Sequence, residues 1–291
     1  MNDTGGARDA SPCLALDIGA SKVDVAVVDH DGTIQSRGRV EVSAHRTDLF
    51  DAIVQKSRET LAGTGIAIVG VGCAGPMTRG GETVSPLNIT SWRNFPLRQS
   101  LREALDLDIF IEGDARALAL AEGTFGAAQD QSSYLSMVVS TGVGGGFVLN
   151  GRLLDGETGN SGHVGHLNVV HDGALCSCGA FGCLEAEVSG RAIEARIGRS
   201  AADADIATRQ RTGELVGRAV GTLSSVLDFR HCYVAGSVAL GYGDEFFDAA
   251  NKAARSLAMM SYSHDIEIRP SQLGNDGPLL GAAVVGWRGA A

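Results

Sequence analysis

Apolar and polar positions along the chain alternate between short strand-like runs and longer helical stretches. The first run, Cys13-Leu-Ala-Leu-Asp17-Ile, breaks at the small-residue turn Gly19-Ala20-Ser21 and resumes as Lys22-Val-Asp-Val-Ala-Val-Val. Asp31-Gly32 marks a hairpin after it, and a third run covers Ile34 to Val42. Thr47 to Leu61 carries helical periodicity, with Thr47 as N-cap and Gly63 as stop. Ile66 to Cys73 is apolar almost throughout, the mark of a strand buried on both faces. Phe95 to Leu105 reads as a helix, Ile109 to Glu112 as a short strand, and Ala115 to Phe125 as a helix.

The pattern then restarts. Tyr134 to Val139, the turn Ser140-Thr141-Gly142-Val143-Gly144-Gly145-Gly146, a second apolar run and Asn150-Gly151 repeat the strand, glycine turn, strand and hairpin of the N-terminus, with Gly142 overlaying Gly19. Helices near 190–198, 212–228, 244–258 and 278–288 and strands at 231–235 and 265–268 complete the second half. Strands alternating with helices predict α/β lobes with a mostly parallel core. The repeat predicts two of them, a small lobe of residues 1–113 plus 275–291 and a large lobe of residues 114–274, with a ligand in the cleft between.

Composition narrows the functional classes. The 291 residues carry 24 Lys plus Arg against 34 Asp plus Glu, a net charge of −10, and such a field repels nucleic acid and anionic membrane surfaces. Hydrophobic residues at 44% and charged residues at 20% exclude wholesale disorder. With 40 glycines and 6 prolines, the chain favours tight turns and close backbone approach. No apolar run is long enough to span a bilayer, and Met1 to Ser11 lacks the basic and apolar regions of a secretory signal, so a cytoplasmic protein is expected. Cys13, Cys73 and Cys232 lie in or beside apolar runs and read as small buried hydrophobes.

Four local patterns carry chemistry. Asp17-x-Gly19-x-Ser21-Lys22 places a carboxylate at a strand end beside amides that glycine leaves open, a phosphate nest in which Asp17 can hold Mg²⁺. Thr141, Gly142, Gly144 and Gly145 form the corresponding turn of the second lobe. No helix follows either turn, so neither is a Walker or dinucleotide motif. Asp114 lies where a strand opens into a helix; there a carboxylate serves as helix N-cap or, facing a cleft, as general base. His166, Cys176, Cys178 and Cys183 offer one imidazole and three thiolates, a closed tetrahedral set for structural zinc, with His171 as a competing fourth ligand. The second ring nitrogen of His166 could then bond a substrate oxygen, and Glu185 would be held beside the metal loop.

These motifs, in this order, resemble the ROK family (repressors, open reading frames, kinases), sugar kinases of the actin-like ATPase, or ribonuclease H-like, fold. The likeness runs from Leu14 to about Gly286. It implies ATP as phosphate donor, with polyphosphate the alternative, together with Mg²⁺, a structural Zn²⁺ and a homodimer. Asp114 matches the base that deprotonates the sugar 6-hydroxyl. Asp17, Gly19, Ser21, Lys22, Thr141, Gly142, Gly144 and Gly145 match the phosphate and Mg²⁺ sites, and Gly236 and Ser237 the adenosine-side loop. Asn88, Gly113, His163, His166 and Glu185 match sugar positions.

The sequence departs from the family pattern at three places. Ala20 and Ser21 stand for a second Gly and a Thr, Gly113 stands for an Asn, and His163 replaces the Glu usual in glucose kinases. The same His occurs in bacterial N-acylmannosamine kinases, which the chain also resembles. The implied activity is 6-phosphorylation of a hexose or N-acylhexosamine, first of all N-acylmannosamine, with glucose as the alternative acceptor. A sugar-binding protein without catalysis is the reading of another class. The family's repressors carry an N-terminal DNA-binding module, for which too few residues precede the first strand here.

Overall fold

The computed structural model describes residues 11–291 apart from Ala20, Arg46 and Asn88. The strands are β1 Cys13–Ile18, β2 Lys22–Val28, β3 Ile34–Glu41, β4 Ile68–Cys73, β5 Asp108–Gly113, β6 Tyr134–Val139, β7 Val143–Leu149, β8 Arg152–Leu153, β9 His231–Ala235 and β10 Glu267–Pro270. The helices are α1 Leu49–Leu61, α2 Leu97–Leu105, α3 Asp114–Thr124, α4 Leu184–Val188, α5 Gly190–Ile197, α6 Ile206–Leu227, α7 Ser237–Tyr242, α8 Asp244–Leu257 and α9 Gly277–Ala290. None of the described helices is long and apolar enough to cross a membrane.

The chain divides into two units. Unit 1 comprises residues 1–117, 158–160 and 276–291, and unit 2 residues 118–157 and 161–275. In unit 1 the sheet order is β3-β2-β1-β4-β5, and in unit 2 it is β8-β7-β6-β9-β10. β1 pairs antiparallel with β2 and parallel with β4, while β6 pairs antiparallel with β7 and parallel with β9. The two sheets therefore share one topology, the structural form of the repeat in the sequence. Each is mixed rather than mostly parallel, because each opens with a hairpin before the first crossover.

Burial explains why these segments become strands. Every residue of β1 is buried except Asp17, and its Leu14, Leu16 and Ile18 join β2, β4 and α1 in the core of unit 1. In unit 2, Leu135, Met137 and Val139 of β6 play the same part beneath α6 and α8. These two helices approach closely because Gly213, Gly217 and Gly221, one per turn of α6, face the backbone of Phe246, Ala250 and Ala254. α6 begins at Ile206, earlier than periodicity placed it, since the Asp205 side chain caps it by accepting the Thr208 N–H at 2.8 Å. Its first turns are polar and give no apolar rhythm. α1 likewise starts at Leu49 with Asp48 rather than Thr47 as its cap residue.

Candidate active site

In unit 1 the strand ends gather three carboxylates. Asp17 lies directly across from Asp24 on β2 and from Gly72 on β4. Asp114 is the first residue of α3, immediately after β5, and its Oδ1 accepts the Ala115 N–H at 2.7 Å. A Cβ placed on Gly72 would stand 3.6 Å from the Asp114 Cα and 3.9 Å from Asp17 Oδ1, so this glycine floors the space beside both acids. Burial, then the negative charges of Asp114 and Asp24, push the Asp17 carboxyl up to about 7 against a smaller opposing pull from Lys22. Burial works on Asp24 too, but hydrogen bonds from Arg39 (2.7 and 3.1 Å) and the Lys22 ammonium at 3.1 Å outweigh it and hold Asp24 below the usual range.

A carboxylate kept from ionising by its neighbours is relieved by a cation, so the chemistry of Asp17 fits a Mg²⁺ ligand. The same arrangement has a consequence for stability. Because the folded chain holds the Asp17 proton to about pH 7 and the unfolded chain releases it near pH 4, the folded state binds more protons in between, and stability falls as pH rises through that window. Without divalent cation, Asp17→Asn should therefore be more stable than the wild type at pH 8, by about 2–4 kcal/mol, and equal to it near pH 4. Melting curves in chelator check this, and parallel curves for the two proteins from pH 4 to 8 would refute it.

The two glycine turns differ in build. At the first, the Gly19 N–H donates to the Lys22 carbonyl at 3.1 Å, and Ser21 is exposed. Ala20 lies outside the described residues. Lys22 begins β2 and its ammonium leans on Asp24. At the second, only residues 140–142 form the turn, closed by the Ser140 N–H donating to the Gly142 carbonyl at 3.0 Å, and Thr141 is exposed. Gly144 and Gly145 lie inside β7, opposite Val138 and Met137. A Cβ on Gly145 would stand 3.0 Å from Val164 and 3.1 Å from the Ser136 carbonyl, so packing alone accounts for that glycine.

Unit 2 anchors the second turn on three sides. The Ser140 carbonyl accepts the Gly190 N–H at 2.7 Å, and Ser140 Oγ lies 3.0 Å from Ser237 Oγ. The Val143 N–H donates to Glu185 Oε2 at 2.9 Å. Gly236, at φ 102°, has its Cα hydrogen against the Val139 backbone, a place no side chain could take. A cavity of about 230 Å³ opens beside Ser140, Thr141, Ser237 and Val238 and is closed by Arg191, Glu194 and Tyr242.

His166, Cys176, Cys178 and Cys183 converge, with all four ligand atoms within 4.8 Å of one another. Cys176 Sγ lies 3.6 Å from His166 Nδ1, and Cys178 Sγ lies 3.7 Å from Cys183 Sγ. A tetrahedral zinc with Zn–S of about 2.3 Å and Zn–N of about 2.0–2.1 Å requires edges of about 3.6 Å for S···N and about 3.8 Å for S···S. The donor set thus fits zinc in type and spacing, and Nδ1 of His166 is the nitrogen turned to it. His171, proposed as a competitor, lies outside the cluster, exposed and 3.3 Å from Asp172.

Of the sugar positions, His163 is exposed with its ring 6.1 Å from that of His166, and Glu185 stands two residues after the metal ligand Cys183 in the first turn of α4. Gly113 closes β5 beside Asp114. Asn88 lies outside the described residues. Pattern reading missed Asp24, Glu112, Arg116 and Asn160. Asp24 sat in an apolar alternation as its odd polar member, which was a usable signal; the other three act through contacts no spacing announces. Cys13, Cys73 and Cys232 are fully buried, and burial pushes the Cys13 thiol up to about 12.

Comparison with known proteins agrees with this arrangement. The model of the ROK family matches residues 13–287. A glucokinase of Streptomyces coelicolor is 32% identical over 222 residues, 76% of this chain and 68% of its own. An N-acetylmannosamine kinase of Haemophilus influenzae is 31% identical over 289 residues, 93% of this chain and 94% of its own. Among solved structures, the ROK glucokinase of Streptomyces griseus in complex with glucose and AMPPNP superposes with a TM-score of 0.82 at 27% identity, covering 95% of this chain and 99% of that one. The ROK hexokinase of Thermus thermophilus gives 0.80 at 30% identity, covering 96% and 99%. The paired mixed sheets are the actin-like ATPase fold of these neighbours. With its motifs in family order and nearly its whole length matched, the chain belongs to the ROK family.

Proposed function

We propose that the protein is an ATP-dependent sugar kinase that phosphorylates the 6-hydroxyl of an N-acylhexosamine, N-acetylmannosamine first. The observation that carries the kinase reading is Asp114 at the head of α3, sharing the Gly72 floor with the proton-holding Asp17. Asp114 takes the proton of the attacking hydroxyl. The sugar oxygen forms its bond to the γ-phosphorus as the bond from that phosphorus to the bridging oxygen breaks, and ADP leaves with the electron pair. Thr141 and the amides of the Gly19 and Gly142 turns hold phosphate oxygens. The cavity beside Ser140 and Ser237 takes the nucleoside, which favours ATP over polyphosphate. Asp17 would hold a Mg²⁺, which would neutralise charge on the phosphates and leave Asp114 free as the base. His166, Cys176, Cys178 and Cys183 would hold a structural zinc; four protein ligands leave it no open position for chemistry. Assembly as a homodimer belongs to the same reading.

The acceptor is read from His163. An imidazole can donate to an acyl carbonyl, whereas a carboxylate can only accept from hydroxyls. The near full-length likeness to an N-acetylmannosamine kinase supports this reading, and the likeness to a glucokinase makes glucose the second. Coupled ADP-release assays over N-acetylmannosamine, N-acetylglucosamine, mannose and glucose decide between them. The expected outcome is kcat/KM for N-acetylmannosamine at least about tenfold above that for glucose, with His163→Glu narrowing the gap, as loss of a single hydrogen bond in a site warrants. Preference for glucose selects the second reading, and sugar binding without ADP release rejects the kinase.

A further inference from the structure

We propose that Arg116 is the positioning residue for the base: it packs beside Gly113 and ties the Asp114 junction to residues 158–160. The proposal rests on the reading of Asp114 as the base. Arg116 lies in the first turn of α3, two residues past Asp114, and only 6% of its side chain is exposed. Its Nη2 donates to Glu112 Oε2 at 3.0 Å and its Nη1 to the Gly159 carbonyl at 2.9 Å. The other oxygen of Glu112 accepts the Gly113 N–H at 2.8 Å. The residues on both sides of Asp114 are thus joined through Glu112 by one ion pair and one hydrogen bond from a backbone N–H.

Gly113 lies beside the Arg116 stem. A Cβ built on it would stand 3.5 Å from the Arg116 Cδ and 3.9 Å from its Cβ and Cγ, an ordinary van der Waals contact with the arginine stem. Gly113 is not among the residues with positive φ, and nothing in the backbone demands glycine there. Beyond the guanidinium, Asn160 pairs with both main-chain groups of Met77: its Oδ1 accepts the Met77 N–H at 3.1 Å and its Nδ2 donates to the Met77 carbonyl at 2.8 Å. Residues 158–160 belong to unit 1 although the chain on either side belongs to unit 2. His163 follows Asn160 by three residues and His166 by six. The tie therefore links the base-bearing junction to the stretch that leads directly into the sugar-side histidines. Arginine suits the task because its rigid fork reaches two acceptors in different directions, which a lysine ammonium does not reproduce.

Steady-state kinetics of Arg116→Lys, Arg116→Met and Asn160→Ala, with Asp114→Asn as reference, test the proposal together with amide exchange at Met77. Arg116→Met should lower kcat about 10–100-fold, as small misplacement of a reacting group does, and leave the KM for ATP within about twofold. Arg116→Lys should recover part of that loss. Asn160→Ala should raise the sugar KM several-fold at nearly constant kcat, and the Met77 amide should exchange faster in all three variants. If Arg116→Met does not fold, Arg116→Lys and Asn160→Ala decide. Wild-type kcat and sugar KM in both of these, with Asp114→Asn inactive, overturns the proposal. Turnover retained in Asp114→Asn overturns the base reading instead, and Met77 exchange at the wild-type rate overturns the tie by itself.

Discussion

Asp114→Asn is expected to lower kcat by about 10²–10⁴ while leaving the dissociation constants for nucleotide and sugar within a few-fold. That is the usual worth of a positioned general base, and asparagine keeps the size of the side chain and an acceptor for the Ala115 N–H. The variant should also be at least as stable as the wild type. Asp114 raises the proton affinity of Asp17 by its charge, so removing it relieves a repulsion in unit 1 rather than breaking a favourable pair. A fall in kcat together with a loss of thermal stability would point to a structural role for Asp114, and a kcat within about threefold of the wild type would remove it from the chemistry altogether.

The second large effect is expected at the cysteine cluster. The purified protein should carry one zinc per chain, and Cys183→Ser should lose it, open residues 166–183 to proteolysis and abolish turnover. Structural zinc contributes about 10–16 kcal/mol of apparent binding energy in small peptides, and folding of the loop draws on part of it. Two contacts carry the damage to the site. His166 is both a member of the cysteine–histidine cluster and neighbour of His163, and Cys183 is the cap residue of α4, whose Glu185 holds the Val143 N–H at the second glycine turn. Without metal, burial first, then hydrogen bonds shared with Cys178 and Cys176, push the Cys183 thiol up to about 12, whereas the Ala180 N–H foremost holds Cys178 below the ordinary thiol value. Zinc must displace the Cys183 proton, so its affinity should climb with pH. Competition with a chromophoric chelator from pH 6 to 8 measures this; a flat profile, or full activity in metal-free protein, would show that the cluster holds no structural metal.

How much of this was legible beforehand depended on the kind of signal. The strands were readable because buried runs such as Leu14-Ala-Leu16 and Met137-Val-Val139 have no polar member to blur them. The convergence of Cys176, Cys178 and Cys183 was readable because thiols and imidazole recur within one short segment, and only which of His166 and His171 joins them needed coordinates. The six-residue α7 and five-residue α4 escaped because so few residues cannot set up a helical period. Gly144 and Gly145 sit in a glycine string that reads as loop, yet they pair as strand, because the ladder across β6 and the close approach of Val164 outweigh intrinsic preference.

By itself the order of residues determined the duplicated α/β architecture, the cysteine–histidine quartet and the carboxylate at the head of α3, since each is a local pattern or a repeat along the chain. Tertiary structure alone decided the raised proton affinity of Asp17, the clamp of Arg39 and Lys22 on Asp24, the hold of Glu185 on the second turn, and the reach of Arg116 and Asn160 to Gly159 and Met77. The physical reason is range. Propensity, capping and metal-ligand spacing act between residues a few positions apart, whereas desolvation and charge act through space between groups that only the folded backbone brings together.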